Sequence, residues 1–294
     1  MTEPALSYAL VTPARNEAKN LARLGDSLVR QTIEPLAWVI VDNGSSDDTI
    51  EVAERLAAEH AWVRLVSATG EEAPTRGGPI VRAFLEGLAA LEDVRADVLV
   101  KLDADISMDP DHFERLLAEF EADPRLGIAG GTCWEQVGGE WKPQFVTRGH
   151  VRGAVRAYRR ECLDSIMPLD QRMGWDGIDE LKAQVNGWRT TNFRDLPFLH
   201  HRATGGRERR VRKWVEQGDM AHYMGYRPSY LVFRALYRAT QEPSAVAMVW
   251  GYLRAVLQRR PRCPDERVLR QLRGEQALRR LRVRARESLG RAVR

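Results

Sequence analysis

The sequence predicts an α/β protein built on a doubly wound, mostly parallel sheet and followed by a helical extension. Three observations carry this reading. Short apolar runs alternate with segments of helical period along the first two-thirds of the chain. Polar clusters follow the ends of those runs, as where parallel strands deliver side chains to one sheet edge. Beyond residue 206 helix-forming residues dominate, with Pro228, Pro243, Pro261 and Pro264 as punctuation. The expected division is residues 1–206 and 207–294.

Each element has its own signal. Tyr8–Val11 is a strand that ends at Thr12-Pro13, and Asn16 or the residues just before it cap a helix through about Gln31, with Leu21, Leu24 and Leu28 on one face. Trp38–Val41 is a second strand, stopping at the polar loop Asp42 to Thr49, and a helix through Ile50, Val52, Ala53 and Leu56 follows. Val63–Val66 is a third strand and Ile80–Leu91 a third helix. Asp97–Leu102 is an apolar, β-branched-rich run that ends in Asp103-Ala104-Asp105. A helix from Pro110 to about Glu121 and a strand at Leu126–Gly131 come next. Trp175 to Glu180 precedes a helix at Leu181–Asn186, which Gly187 ends, and Thr190–Leu199 is extended up to His200-His201.

Composition places bounds on function. At 44% hydrophobic and 29% charged the chain is ordinary for a globular protein, which excludes wholesale disorder. The net charge of +4 is unevenly spread. Residues 207–294 hold 22 Arg and Lys against 8 Asp and Glu, a net +14, which leaves 23 against 33, a net −10, for the first 206. The basic extension favours an anionic partner. Cys133, Cys162 and Cys263 lie far apart and read as inert thiols in a reducing compartment. There is no signal-peptide pattern and no apolar run of the ~18–20 residues needed to span a bilayer. The expected location is cytoplasmic, or peripheral on the inner face of the cell membrane.

The acidic triplet brings two carboxylates, one residue apart, to the edge of the sheet. Asp105 can bind a divalent cation while Asp103 touches the waters of the metal or a ligand, as hard oxygen donors do for Mg²⁺ or Mn²⁺. With Thr12-Pro13 and Asp42-Asn43 at the same edge, three polar clusters make a site.

Read together, these segments resemble the family-2 inverting glycosyltransferases of the GT-A fold, whose Rossmann-like sheet binds nucleotides. The likeness covers roughly residues 7–205. Pro13-Ala14-Arg15-Asn16-Glu17 looks like the Pro-x-x-Asn-Glu segment of the family, and Asp42 to Thr49 resembles its Asp-(Asp/Asn)-Gly-Ser-x-Asp-x-Thr loop. Asp103-Ala104-Asp105 looks like its metal and diphosphate motif, and Trp175-Asp176 stands where the family has Glu-Asp, eleven residues before Gly187. Two departures stand out: Trp175 replaces the Glu, and Arg76-Gly77-Gly78-Pro79 replaces a Gly-x-x-x-Ala-Arg-Asn run.

The resemblance implies metal-dependent, inverting transfer of a sugar from a UDP- or GDP-sugar to an acceptor hydroxyl, in polysaccharide, glycolipid or cell-wall synthesis. It implies Mn²⁺ or Mg²⁺ as cofactor, held by Asp105 with Asp103, and by one of His200 and His201, since strand alternation lets only one point inward. Asp176 is the implied general base, with Asp179, on the same helix face, as its rival. Pro13, Glu17 and Asp42 surround the base and ribose, Arg76 neutralises a phosphate, and Trp175 offers a stacking face to a sugar of the acceptor. The processive Gln-x-x-Arg-Trp motif is missing, so one sugar is added per encounter. The acceptor is expected to be lipid-linked or a glycan, and the aromatic and basic residues of 211–260 suit a monotopic helix at an anionic lipid surface. Two other classes are weighed. A sugar-phosphate nucleotidyltransferase would need a Gly-rich loop with Arg and Lys at the first strand, and Pro13 to Glu17 is not that. A non-enzymatic binder of anionic partners could act through the Arg-rich end, but no nucleic-acid-binding signature accompanies it, and nucleic acid is not an expected partner.

Overall fold

The apolar runs pair side by side into one sheet. A computed structural model describes residues 6–68, 77–201 and 207–276, and divides the chain into two units, Met1–Arg202 and Ala203–Arg294. Arg76 and the Arg-rich end at 279–294 lie outside the described residues.

The first unit runs β1 (Tyr8–Ala14), α1 (Ala18–Val29), β2 (Ala37–Asp42), α2 (Thr49–Glu59), β3 (Val63–Ser67), α3 (Gly78–Ala89), β4 (Val98–Leu102), β5 (Ile106–Met108) and α4 (His112–Ala122). It continues with β6 (Leu126–Val137), β7 (Glu140–Pro143), β8 (Val155–Arg159), α5 (Arg160–Ile166), α6 (Trp175–Val185) and β9 (Arg189–His200). The strand order is β3-β2-β1-β4-β8-β6-β9-β5, with β7 hydrogen-bonded to β6. The half made of β3, β2, β1 and β4 is parallel throughout. Antiparallel β8 joins β4 to β6, while β6 and β9 run parallel.

Burial on both faces explains why β2 and β4 read as apolar runs, interrupted in β4 only by Lys101. Strand side chains alternate between two layers. Leu10, Trp38, Ile40, Val98 and Val100 meet α1, α2 and α4 on one face. Ala9, Val11, Val39, Val41 and Leu99 meet α3, α5 and α6 on the other. The doubly wound expectation is met.

One element differs in detail from the sequence reading, and one buried cation was not singled out by it. Helix α6 starts at Trp175, six residues before the expected start, because Gly174 adopts a left-handed φ of 84° and opens the helix. Lys101, inside the apolar run of β4, is buried.

Among the described residues the second unit holds α7 (Arg207–Tyr223), α8 (Pro228–Ala239), a 3₁₀ turn at Pro243–Val246, α9 (Ala247–Leu257) and α10 (Glu266–Glu275). Its core gathers Trp214, Ala221, Leu231, Ala245, Met248 and Tyr252. Among the described residues no helix is long and apolar enough to cross a membrane.

Candidate active site

The loops after β1 and β2 are stitched together. Pro13 and Ala14 of β1 pair with Val41 and Asp42 of β2. The buried Asp42 carboxylate accepts hydrogen bonds from the amides of Gly44 (3.1 Å) and Ser45 (3.2 Å), a turn-stabilising role common for Asp. Asn16, at φ 54°, accepts at its side-chain oxygen from the Ser46 amide (2.7 Å), and its own amide donates to Ser45 Oγ (3.0 Å). The Glu17 amide donates to Thr49 Oγ1 (2.8 Å), and its carboxylate accepts from Asn20 Nδ2 (2.8 Å). Pro13, Glu17 and Asp42 thus share one edge of the sheet.

The acidic triplet follows β4. The Asp103 amide donates to the Ala154 carbonyl (2.8 Å), and its carboxylate forms an ion pair with Lys101, whose ammonium also donates to the Gly153 carbonyl (2.7 Å). Desolvation raises the Asp103 carboxyl above its ordinary range, with Lys101 opposing it. Asp105 is buried, and its Oδ2 lies 3.2 Å from His200 Nε2. Nδ1 of the same ring faces Glu135 Oε1 at 3.4 Å, and Glu135 in turn accepts from Arg152 Nη1 (3.0 Å). Asp105, then Cys133 and Glu135, push the His200 imidazole up to about 12, and His200, helped by Arg152, pulls Glu135 down to about 2.

The two histidines part as strand alternation requires. His200 joins the acidic triplet. His201 turns elsewhere, with Nε2 2.7 Å from Ser107 Oγ and its ring edge-on to Trp141. Burial lowers its pKa. The structure therefore does not bring His201 to the carboxylates through its side chain, although its amide donates to the Asp105 carbonyl (2.8 Å).

This donor set fits a divalent cation. Carboxylate and imidazole atoms converge, and the acids around the ring favour positive charge there, which a bound cation would supply in place of the ring proton. Cys133, Glu135 and His200 also present ligand atoms within 4.8 Å of one another.

Helix α6 supplies the third group. Asp176 lies in its first turn, half-buried, and its Oδ1 accepts from the Gly177 amide (3.0 Å). Asp179 is fully buried and accepts from the Tyr158 hydroxyl (2.8 Å), and desolvation raises it to about 7. It does not reach the surface, so of the two carboxylates Asp176 is the one open to solvent.

Beneath both lies Arg156, which is also fully buried. Its Nε donates to the Tyr158 hydroxyl (2.8 Å), Nη1 to Glu180 Oε1 (3.0 Å), and Nη2 to the Asp176 carbonyl (2.6 Å).

The expectation for Trp175 is corrected. Only 6% of it is exposed, and the side chains of Arg156 and Lys101 lie over its ring at 5.5 and 6.0 Å. It closes the core beneath the site instead of presenting a face to a sugar.

The departure at Arg76-Gly77-Gly78 has a packing reason. Gly77 has φ 96°, and a Cβ there would stand 2.5 Å from the backbone of Arg172 and Met173. Backbone meets backbone at this point, which only glycine allows. The start of α3 is thereby pressed against the segment that leads into α6.

Glu135, Lys101, Arg156 and Glu180 were missed by sequence reasoning. Lys101 and Arg156 left a signal, each a cation inside an apolar strand pattern. Glu135 and Glu180 left none, since each sits in an unremarkable polar context.

The Glycosyl transferase family 2 profile matches residues 9–149. Glycosyltransferase AglD of Haloferax volcanii is 27% identical over 220 residues, covering 65% of this chain and 33% of that protein. The undecaprenyl-phosphate 4-deoxy-4-formamido-L-arabinose transferase of Pseudomonas fluorescens is 23% identical, covering 58% of this chain and 52% of that one. The chain thus spans about a third to a half of the length of these relatives. Among solved structures, the mannosyltransferase PcManGT from Pyrobaculum calidifontis, in complex with GDP-Man and Mn²⁺, is similar over 98% of this chain and 81% of that one, at a TM-score of 0.57 and 17% identity. GalNAc-T7 with UDP, GalNAc and Mn²⁺ is similar over 66% of this chain and 44% of that chain, at 0.54 and 16%. Sheet, edge loops and profile agree: residues 9–149 match the Glycosyl transferase family 2 profile, and the fold is that of the GT-A glycosyltransferases.

Proposed function

We propose that the protein transfers one sugar per encounter from a UDP- or GDP-sugar to an acceptor hydroxyl, with inversion at the anomeric carbon and with Mn²⁺ or Mg²⁺ bound. The observation that carries this is the convergence of Asp103, Asp105 and His200 at the sheet edge, with the half-buried Asp176 opening α6.

Asp105 and His200 would hold the metal, with Asp103 beside it contacting metal waters or the ribose. When bound, the metal supplies Lewis-acid stabilisation of the diphosphate leaving group. Asp42, Glu17 and Pro13 form the wall for base and ribose, and Arg76 is proposed to meet a phosphate. Asp176 takes the proton of the attacking hydroxyl from the face opposite the leaving group, so a single displacement inverts the centre. Buried Arg156 braces Asp176 through its carbonyl, and keeps the helix start fixed while the side chain works.

The acceptor is proposed to be lipid-linked or a glycan, reached from the inner face of the cell membrane. The similarity to an undecaprenyl-phosphate sugar transferase supports the lipid-linked choice.

A thermal-shift screen of nucleoside diphosphates and their sugars, with and without Mn²⁺, tests the reading on wild type and Asp105→Ala. A ligand at ~100 times its dissociation constant adds about 2.7 kcal/mol. A metal-dependent shift with one nucleotide, lost in the variant, is the expected result. No shift with any nucleotide would overturn the proposal.

A further inference from the structure

The helices of the second unit sort their apolar residues into two sets. Trp214, Leu231, Met248 and Tyr252 are buried in the core of the unit. Phe233 (54% exposed), Leu236 (58%) and Tyr237 (39%) of α8, with Trp250 (58%), Leu253 (48%) and Leu257 (76%) of α9, are not.

These positions follow helical spacing. Phe233 and Tyr237 are four apart, as are Leu253 and Leu257, and Trp250 lies three before Leu253. Each helix therefore carries a core stripe and a second apolar stripe turned outward. The two helices also pack on each other, so the outward stripes belong to adjacent elements. Large apolar side chains exposed together on a soluble surface mark an interaction site.

Charge identifies what it meets. From Arg227 to Arg262 the chain carries seven Arg and one acid, Glu242. Arg238 near the end of α8, and Arg259 and Arg262 just past α9, are exposed. A second copy of this face would set like charge against like. An anionic bilayer satisfies both halves of the pattern, because the acyl boundary takes Phe, Leu and Trp while the headgroup layer takes Arg.

We propose that the outward faces of α8 and α9 form a monotopic docking surface for anionic phospholipid, with Phe233, Leu236, Trp250, Leu253 and Leu257 entering the headgroup–acyl boundary. This deepens the lipid-linked acceptor reading by naming the surface that would bring the chain to its acceptor. It rests on that reading for its purpose alone, since attachment requires neither donor nor metal.

The test is flotation of the full chain with phosphatidylglycerol-containing and pure phosphatidylcholine vesicles at low salt, without nucleotide. The wild type is expected to float with the anionic vesicles. Phe233→Ser combined with Trp250→Ser is expected to weaken partitioning about tenfold or more, with an unchanged melting temperature because both sites are exposed. Brominated lipid is expected to quench tryptophan emission in the wild type, with that quenching reduced in Trp250→Phe. Absence of wild-type flotation would overturn the proposal. So would flotation that survives the double substitution, which would leave simple charge adsorption. A wild-type dimer in solution that the substitution dissociates would overturn it in favour of a second copy. A vesicle-binding chain that fails the nucleotide screen would leave this surface standing and remove the transferase reading.

Discussion

His200 Nε2 stands 3.2 Å from Asp105 Oδ2, while the other nitrogen of the ring is turned to Glu135 at 3.4 Å. One imidazole thus lies between two carboxylates, one from the turn between β4 and β5 and one from β6. An imidazole that donates Nδ1–H to a carboxylate keeps Nε2 available to a cation, the usual arrangement around metal-bound histidine. Glu135→Gln is therefore expected to weaken Mn²⁺ binding about 10–100-fold without abolishing it. His200→Ala and Asp105→Ala should weaken it further. Calorimetric or EPR titration of Mn²⁺ without substrate measures this, and equal affinity in Glu135→Gln and wild type would remove Glu135 from the site.

Asp176 and Asp179 are three residues apart on one helix, yet only Asp176 reaches the surface. Asp176→Asn is expected to lower kcat about 10²–10⁴-fold and to leave the nucleotide-induced thermal shift intact, as removal of a general base should. Loss of nucleotide binding together with activity would assign Asp176 to the donor side instead.

Most of the sheet was legible because both faces of β1, β2 and β4 are buried, which writes a continuous apolar run into the sequence. The edge loops were legible because Asp42 and Asp103-Ala104-Asp105 interrupt those runs abruptly. Pairing between distant strands left no such mark. Between Gly131 and Thr132 the β6–β9 register jumps from Phe193 to Pro197, and that jump is what sets Glu135 opposite His200. A Cβ at Gly131 would lie 1.9 Å from the Leu196 carbonyl oxygen, so the irregularity depends on glycine. Trp175 was misread for a related reason. Its exposure depends on Arg156 and Lys101 closing over it from two other strands, and no local pattern announces that.

Asp179 gives stability a distinctive pH dependence. Burial raises its carboxyl from 3.8 to about 7, so between those values the folded chain holds a proton that the unfolded chain has released. By linkage this group's contribution to stability falls as pH rises through that window. Asp179→Asn keeps an acceptor for the Tyr158 hydroxyl and cannot ionise. Its melting temperature should therefore decline less than that of wild type between pH 4 and 7, by an amount corresponding to at most roughly 4 kcal/mol. Parallel melting curves across that range would show that Asp179 does not titrate there.

Gly77 links the start of α3 to the segment that leads into α6. Its φ of 96° is open to glycine, and its missing Cβ is the space filled by the Arg172 carbonyl group, 2.5–2.7 Å away. An alanine must either strain the backbone or push residues 171–173 away from α3, and neither neighbour is the end of a flexible side chain. Gly77→Ala is expected to cost about 1–3 kcal/mol, seen as a lower melting temperature. Because the displaced segment leads directly into Gly174 and Asp176, kcat should fall even at temperatures where the variant is fully folded. Gly139→Ala, in the turn between β6 and β7, is the control: it too has positive φ, at 86°, but nothing lies within 4 Å of its Cβ position. If the two variants lose activity equally, backbone strain alone accounts for the effect and the contact between loops is not transmitted to Asp176. A larger loss in Gly77→Ala, at equal folded fraction, would assign the difference to the Arg172 contact.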